Sequence, residues 1–176
     1  MRRSMKAAVL LALLSSAAQA QTAPPPAPAA QREIFGDWAL ICTVPPGASA
    51  QSCELDATLQ PEAQLPPVGK LAFVRGSADK PVRLVAIVQA NLTLAPGVEV
   101  AANSAVKGVI LGFKSCLNSA CLADADLDAD AVKVFRAMTK PGRLTINNAA
   151  GEVLSLAIPS RGIDQAIDAL LAQPSQ

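Results

Sequence analysis

The 176-residue sequence contains no histidine and no tyrosine, and aromatic residues make up only 3% of it. The absence of histidine excludes Ser-His-Asp and Cys-His nucleophile systems, histidine general bases and histidine-ligated zinc. The scarcity of aromatic side chains argues against the stacking surfaces that bind single-stranded nucleic acid. A formal net charge of +1 also provides no basic footprint for DNA or RNA. We therefore expect no nucleic-acid partner.

The N-terminus has the features of a targeting segment. Basic residues precede an apolar run over residues 7–14, and small residues then lead to Ala18-Gln19-Ala20. This is the layout of a secretory signal peptide, and the apolar run is shorter than the roughly 20 residues that span a bilayer. We predict that residues 1–20 are a cleavable signal peptide. The mature chain would then be periplasmic, secreted or associated with the cell surface, and would have no transmembrane segment.

A proline- and alanine-rich stretch follows the predicted cleavage site. Residues 21–32 include four prolines, which favour an extended polyproline conformation and oppose a packed core. We predict a linker over residues 21–32 and one folded domain over residues 33–176. That domain is long enough to bury a single hydrophobic core.

Four cysteines are the candidate site residues of the chain: Cys42, Cys53, Cys116 and Cys121. An even number of cysteines in an exported protein indicates disulfide bonds. Three pairings are possible, and the turn-like residues inside each sequential pair favour Cys42 with Cys53 and Cys116 with Cys121. A metal centre and a reactive redox thiol are the weaker alternatives, because no C-x-x-C spacing and no histidine accompany the cysteines.

Most of the predicted domain has a β pattern, either alternating or in short apolar runs. The runs are 35–43, 52–60, 71–74, 82–88, 98–100, 106–113, 143–147 and 153–158. Turn residues separate the first two runs and the last two, which predicts two hairpins. Trp38 lies in the first run and is expected to be buried in the core. We predict an all-β fold, mainly an antiparallel β-sandwich, with two short α-helices.

The two helices are predicted from apolar residues at helical spacing over residues 127–138 and 163–171. Alternating aspartates at residues 124–130 precede the first helix. They lack the glycine and glutamate that an EF-hand loop needs at its sixth and twelfth positions. We predict that this acidic run is a helix start with Asp126 or Asp128 as the N-cap. A calcium site of another geometry is the alternative.

No catalytic set is evident in the sequence. Ser77 lies three residues before Lys80, which is the spacing of Ser-Lys enzymes. Gly76 and Pro81 flank the pair and predict a loop, whereas that chemistry requires a helix. Carboxylate pairs for glycoside chemistry are disfavoured because sugar clefts are usually rich in aromatic residues. We expect no catalytic residue, no cofactor and no metal site, and hence a protein that is not an enzyme.

The order of several short motifs resembles one known family. Phe35-Gly36-Asp37-Trp38 precedes the first two cysteines, the segment 113–121 reads Phe-x-x-Cys-x-x-x-x-Cys, and Ala149-Ala150-Gly151 lies between the last two strands. Over residues 33–171 this order is similar to that of the invasion-associated locus B family of secreted bacterial proteins. The resemblance implies a small periplasmic or surface-associated protein without known enzyme chemistry. Some members of the family are associated with entry into host cells.

Two functional hypotheses follow. The first is an exported, non-enzymatic envelope or binding protein, which the resemblance connects with host-cell interaction or entry. The second is a periplasmic module that binds a small ligand or assists envelope assembly. A large exposed apolar patch would favour a protein partner, and a deep pocket with converging polar groups would favour a small ligand. The partner, a protein or another envelope component, is not identified by the sequence.

Overall fold

A computed structural model describes residues 30–45, 47, 51–61, 65–77 and 79–173. The predicted signal peptide and most of the predicted linker lie outside these residues. The helices are α1 (Ala129–Arg136) and α2 (Ile163–Ala172). The strands are β1 (Gln31–Phe35), β2 (Trp38–Thr43), β3 (Ser52–Leu59), β4 (Gly69–Arg75), β5 (Val82–Gln89), β6 (Leu92–Thr93), β7 (Val98–Ala101), β8 (Val109–Leu117), β9 (Ala120–Leu127), β10 (Gly142–Asn148) and β11 (Val153–Ile158). Within the described chain, no helix is both long enough and apolar enough to cross a membrane.

The strands form one curled antiparallel sheet. Its order is β1-β2-β3-β4-β5-β9-β8-β7-β10-β11, and the short β6 pairs with β10 beside β7. Strand β8 pairs with β9 on one side and with β7 on the other, so it joins the two halves of the sheet. The curl brings β11, at one end of the order, close to β3. The all-β prediction with two short helices is confirmed, and the two layers of the sandwich are parts of one sheet.

The core lies between the two halves of the sheet and is built by alternation along the strands. In β3 and in β5, every second residue is buried while its neighbours are at least partly exposed. This period of two is the normal consequence of strand geometry when one face is covered. Helix α2 places Ile163, Ala166, Ile167 and Leu170 against the same core. Trp38 is fully buried, as predicted.

The predicted first strand is interrupted near its beginning. A turn at Gly36 and Asp37 ends β1 and starts β2, so the run 35–43 belongs to two strands of one hairpin. Gly36 has a φ of 60°, a left-handed conformation that glycine adopts readily. Strand β1 itself begins at Gln31 and therefore includes the last two residues of the predicted linker.

The acidic run at residues 124–130 was predicted to be a helix start, which is correct from Asp128 onwards and wrong for Asp124 and Asp126. Asp128 is the N-cap of α1, and its carboxylate accepts a hydrogen bond from the amide of Ala131 at 2.7 Å. Asp124 and Asp126, however, lie in β9, a strand that was not predicted. The buried residues of β9 are small or aliphatic, and its aspartates occupy the opposite face, as the alternation of a strand allows.

Candidate functional site

The Phe-Gly-Asp-Trp turn docks onto the segment that connects β11 to α2. The amide of Asp37 donates to the carbonyl oxygen of Arg161 at 3.2 Å. The Asp37 carboxylate in turn accepts hydrogen bonds from the Arg161 guanidinium, one of them from Nε at 3.2 Å. These hydrogen bonds raise the pKa of Arg161, because its charged form is stabilised. The turn and the connection therefore behave as one unit.

Glycine is required at this contact on both sides. A Cβ at Gly36 would collide with the carbonyl oxygen of Arg161, and a Cβ at Gly162 would collide with that of Phe35. Gly162 also has a φ of 83°, which non-glycine residues rarely adopt. The two backbones approach closely because neither glycine has a side chain.

Trp38 secures the same contact from inside the core. Its indole Nε1 donates to the carbonyl oxygen of Pro159 at 3.1 Å, so the polar end of the buried ring is satisfied. The ring packs at a tilt against Phe73 with 5.6 Å between centroids, and Phe73 packs edge-on against Phe135 at 5.4 Å. Three of the five aromatic residues of the chain thus form one connected row.

The four cysteines lie in two pairs, in the arrangement that the sequence favoured. The sulfur atoms of Cys42 and Cys53 are 2.12 Å apart, and those of Cys116 and Cys121 are 2.07 Å apart, both at disulfide distance. Each pair joins residues that stand directly opposite each other, in the β2–β3 hairpin and in the β8–β9 hairpin. The pairs therefore brace hairpins, and neither contributes to a cluster of metal ligands in the described residues.

The four alternating aspartates each have a separate partner. Asp124 lies 3.3 Å from Lys114 Nζ, Asp126 lies 3.0 Å from Arg83 Nε, and Asp130 lies 2.9 Å from Lys133 Nζ. The fourth, Asp128, caps α1. A hydrogen bond and the charge of Lys133 lower the pKa of Asp130. The described carboxylates of this run are thus spread over a strand face and a helix start.

A second charged group lies on the outer face of the sheet. Lys70 Nζ is 2.7 Å from Glu54 Oε1 and 2.8 Å from Asp56 Oδ2, across the β3–β4 pair. Partial burial of the Lys70 ammonium group favours its neutral form. The hydrogen bonds and charges of Asp56 and Glu54 outweigh that effect, so the pKa of Lys70 is raised. A lysine held in its charged form between two carboxylates is an ion pair and a poor base.

The Ser77 and Lys80 pair lies in the connection between β4 and β5, outside any helix. The amide of Lys80 donates to the carbonyl oxygen of Ser77 at 3.3 Å, which is a turn contact. Ser77 also hydrogen-bonds Asp79 and thereby lowers the pKa of that carboxyl group. The structure therefore places this pair in the predicted loop.

A groove runs along β11, the strand at the end of the sheet order. Three adjoining cavities of about 360, 430 and 800 Å³ follow the strand, and all three contact Pro61. Ser155 and Leu156 line the two smaller cavities, and Ala157 lines the two larger ones. We call this continuous depression, with β11 on one side and Thr58, Gln60, Pro61 and Pro67 on the other, the β11 groove.

The floor of the β11 groove is apolar at one end and charged at the other. The 360 Å³ cavity opens onto Val68, Leu92, Ile146 and Leu154, and the side chain of Leu154 is 43% exposed there. Lys140 and Arg143 line the 430 Å³ cavity, and Arg161 with its partner Asp37 lines the largest one. The Asp37–Arg161 pair, which attaches the Phe-Gly-Asp-Trp turn to the connection before α2, thus also lines the end of the groove.

A family model fits most of this structure. The model of the invasion associated locus B (IalB) protein family matches residues 38–171, from Trp38 of β2 to the end of α2. The chain belongs to the IalB family. The resemblance noted in the sequence is therefore confirmed.

The fold is shared with a solved structure. The crystal structure of invasion associated protein b from Bartonella henselae superimposes with a TM-score of 0.67 at 18% sequence identity. The alignment covers 81% of this chain and 96% of the Bartonella chain. At this identity the likeness establishes a common IalB fold. No curated protein sequence is significantly similar to this chain.

The β11 groove is a feature of this structure that the sequence did not predict. It forms between residues about 100 positions apart, and no short motif marks it. One signal was present in the sequence, because Val153–Ile158 contains neither a charge nor a proline. An edge strand is usually protected by such residues, but the sequence alone does not show that this strand is an edge.

Proposed function

We propose that the chain is an exported, non-enzymatic binding protein of the bacterial envelope. The observation that carries this proposal is the geometry of the cysteines, which lie in two pairs at disulfide distance. Disulfide bonds persist in the periplasm and outside the cell, and the cytosol keeps most thiols reduced. The IalB family is not a known enzyme family, which supports a binding role.

The arrangement of the charged side chains also supports a non-enzymatic binding role. The ion pairs of the described chain join single acids and bases on solvated faces, apart from the group around Lys70. A catalytic centre requires a nucleophile or base that is activated by its neighbours beside a pocket. The β11 groove combines backbone, prolines and aliphatic side chains at one end with Lys140, Arg143 and the Asp37–Arg161 pair towards the other, a lining that suits binding.

Cell fractionation combined with thiol labelling tests the proposal. The bacterium that produces the protein should release it from the periplasm, the surface or the medium, with a mass that corresponds to a start at Gln21. Maleimide should label no thiol before reduction and four thiols after it. A variant that lacks residues 2–20 should remain in the cytoplasm and serve as the control. A cytoplasmic wild-type protein with four reactive thiols would contradict the proposal.

The connection with host cells is a separate part of the proposal, supported by the family alone. A deletion strain and its complemented strain would be compared in a quantitative entry assay with cultured host cells. Reduced entry that complementation restores is the expected result. Equal entry by both strains, with the protein still exported, would assign the binding role to the envelope itself.

A further inference from the structure

We propose that the β11 groove binds an extended peptide segment of a partner protein, which adds to the sheet as a strand beside β11. The inference rests on the proposed binding role and names its ligand class: a segment with apolar side chains at every second position and an acidic residue at one end. Four observations support it, from the backbone, the two sheet edges, the cavities and the charges.

The backbone of β11 presents hydrogen-bonding groups to the groove. The amide of Asn148 donates to the carbonyl oxygen of Glu152 at 2.9 Å, directly before the first pair of the β10–β11 ladder. Hydrogen-bonded and non-hydrogen-bonded pairs alternate along an antiparallel ladder. Counting from that bond, the N–H and C=O groups of Val153, Ser155 and Ala157 point away from β10 and into the groove. No hydrogen bond to these groups is present in the described chain.

The two ends of the sheet differ in how they are protected. Strand β1, at one end, carries Arg32 and Glu33, and charges of this kind oppose pairing with a further strand. Strand β11, at the other end, has no charge and no proline over its six residues, and Val153 is 67% exposed. An exposed edge without such protection is a template on which a further strand can pair.

The cavities match the side chains of an added strand. Leu156 and Ile158 are buried, and Leu154 lies on the same face of β11 at the apolar end of the groove. Every second side chain of an adjacent strand would point the same way, into the cavities that follow β11. Main-chain hydrogen bonds with pockets for alternate side chains are the usual basis of recognition by strand addition.

The charges of the groove favour a peptide segment with an acidic residue at one end. Lys140 and Arg143 line the groove, and neither has a carboxylate within ion-pair distance in the described chain. They are complementary to an acidic residue of a ligand. The side of the groove opposite β11 is lined by the uncharged residues Thr58, Gln60, Pro61 and Pro67, so the basic side chains are grouped at one end.

Fluorescence anisotropy with the purified protein tests the proposal. The probe is a capped, fluorescein-labelled octapeptide that begins with two glutamates and continues with alternating leucine and serine. Two further probes carry N-methyl groups at the odd or at the even backbone nitrogens, which removes the donors on one side of the strand. The wild-type protein should bind the parent peptide saturably, and one of the methylated peptides should bind at least tenfold more weakly.

Protein variants locate the binding to β11. Ser155→Pro removes an N–H that points into the groove and leaves the β10 ladder intact, so the affinity should fall at least tenfold. Ser155→Ala keeps that N–H, and its affinity should stay within twofold of wild type. The methylated peptides need no variant, so the test stands even where Ser155→Pro fails to fold. Replacing the two glutamates by lysines should weaken binding severalfold at low salt.

Three results would overturn the inference. The first is the absence of saturable binding to the parent peptide, and the second is equal binding of all three peptides. The third is a wild-type dimer that becomes monomeric in Ser155→Pro, because the β11 edge would then pair with a second copy of the chain. None of them affects the fractionation and thiol results, so the failure of this inference is distinguishable from failure of the proposed export.

Discussion

Replacing Trp38 by alanine should remove a large part of the stability of the domain. The indole is fully buried, packs on Phe73 and donates a hydrogen bond to Pro159. Truncation of a buried tryptophan to alanine typically costs about 3–5 kcal/mol through lost burial and the remaining cavity. The carbonyl of Pro159 also loses its partner, which adds about 1 kcal/mol where water cannot replace it. We therefore expect a loss in the upper half of that range.

Urea denaturation measures this loss directly. With a slope of about 2 kcal/mol per M for a domain of this size, the midpoint should fall by roughly 2 M. Trp38→Phe keeps an aromatic ring and removes only part of the volume and the hydrogen bond, so its midpoint should lie between those of Trp38→Ala and wild type. The chain has one tryptophan and no tyrosine, so its fluorescence reports Trp38 alone.

Two outcomes would refute the reasoning about Trp38. One is a destabilisation below about 1 kcal/mol in Trp38→Ala, since a surface position typically changes stability by no more than that. The other is a native emission maximum equal to that of indole in water, where we expect a blue-shifted maximum that moves to longer wavelength on unfolding. Either result would place the indole outside the core.

Three further predictions concern smaller contacts. Asp128→Ala should lower the free energy of unfolding by about 0.5–2 kcal/mol through loss of the α1 cap. Millimolar calcium should leave the wild-type melting temperature unchanged, and a calcium-dependent rise would instead indicate a calcium site in the acidic run. Gly162→Ala should lower the melting temperature strongly, because its Cβ meets the backbone of Phe35, and a wild-type melting curve would contradict the close approach. Arg136 lowers the pKa of Asp168. The stability that this pair contributes is therefore present above the ordinary pKa of about 3.9 and is lost as the pH falls through the lowered value. The urea midpoints of wild type and Asp168→Asn should converge between pH 5 and pH 2, and a constant difference between them would show that the pair does not titrate.

Alternation predicted the strands whose two faces differ clearly. The residues of β3 alternate in the structure as they do in the sequence, those of β11 do so only from Leu156 onwards, and both hairpins were predicted from the turns between their strands. Strand β9 was missed because Asp124 and Asp126 resemble a helix start when their neighbours are unknown. They are stable in a strand because Lys114 and Arg83 stand beside them, and those partners come from β8 and β5. Such cross-strand pairs depend on the sheet order.

The β11 groove required information that no local pattern contains. Its walls come from the ends of β3 and β11, and the curl of the whole sheet determines their separation. The cysteine pairing, by contrast, was predictable because each pair spans one hairpin. The two cysteines of a pair are only 11 or 5 residues apart, so the turn between them predicts that they meet. A site built from residues 58 and 155 becomes visible only in the folded chain.

The first motifs by which the sequence resembles the IalB family hold β2 and the end of the groove in place. Trp38 and Asp37 fix the start of β2 to Pro159 and Arg161, and the Cys42–Cys53 pair fixes its other end to β3. Since Pro159 directly follows β11, the same contacts hold the strand edge in position beside its groove. Trp38 and the Cys42–Cys53 pair are therefore scaffold, whereas Asp37 also lines the groove through its pair with Arg161. Sharing these motifs therefore indicates a shared fold, and function depends on the side chains placed on that fold.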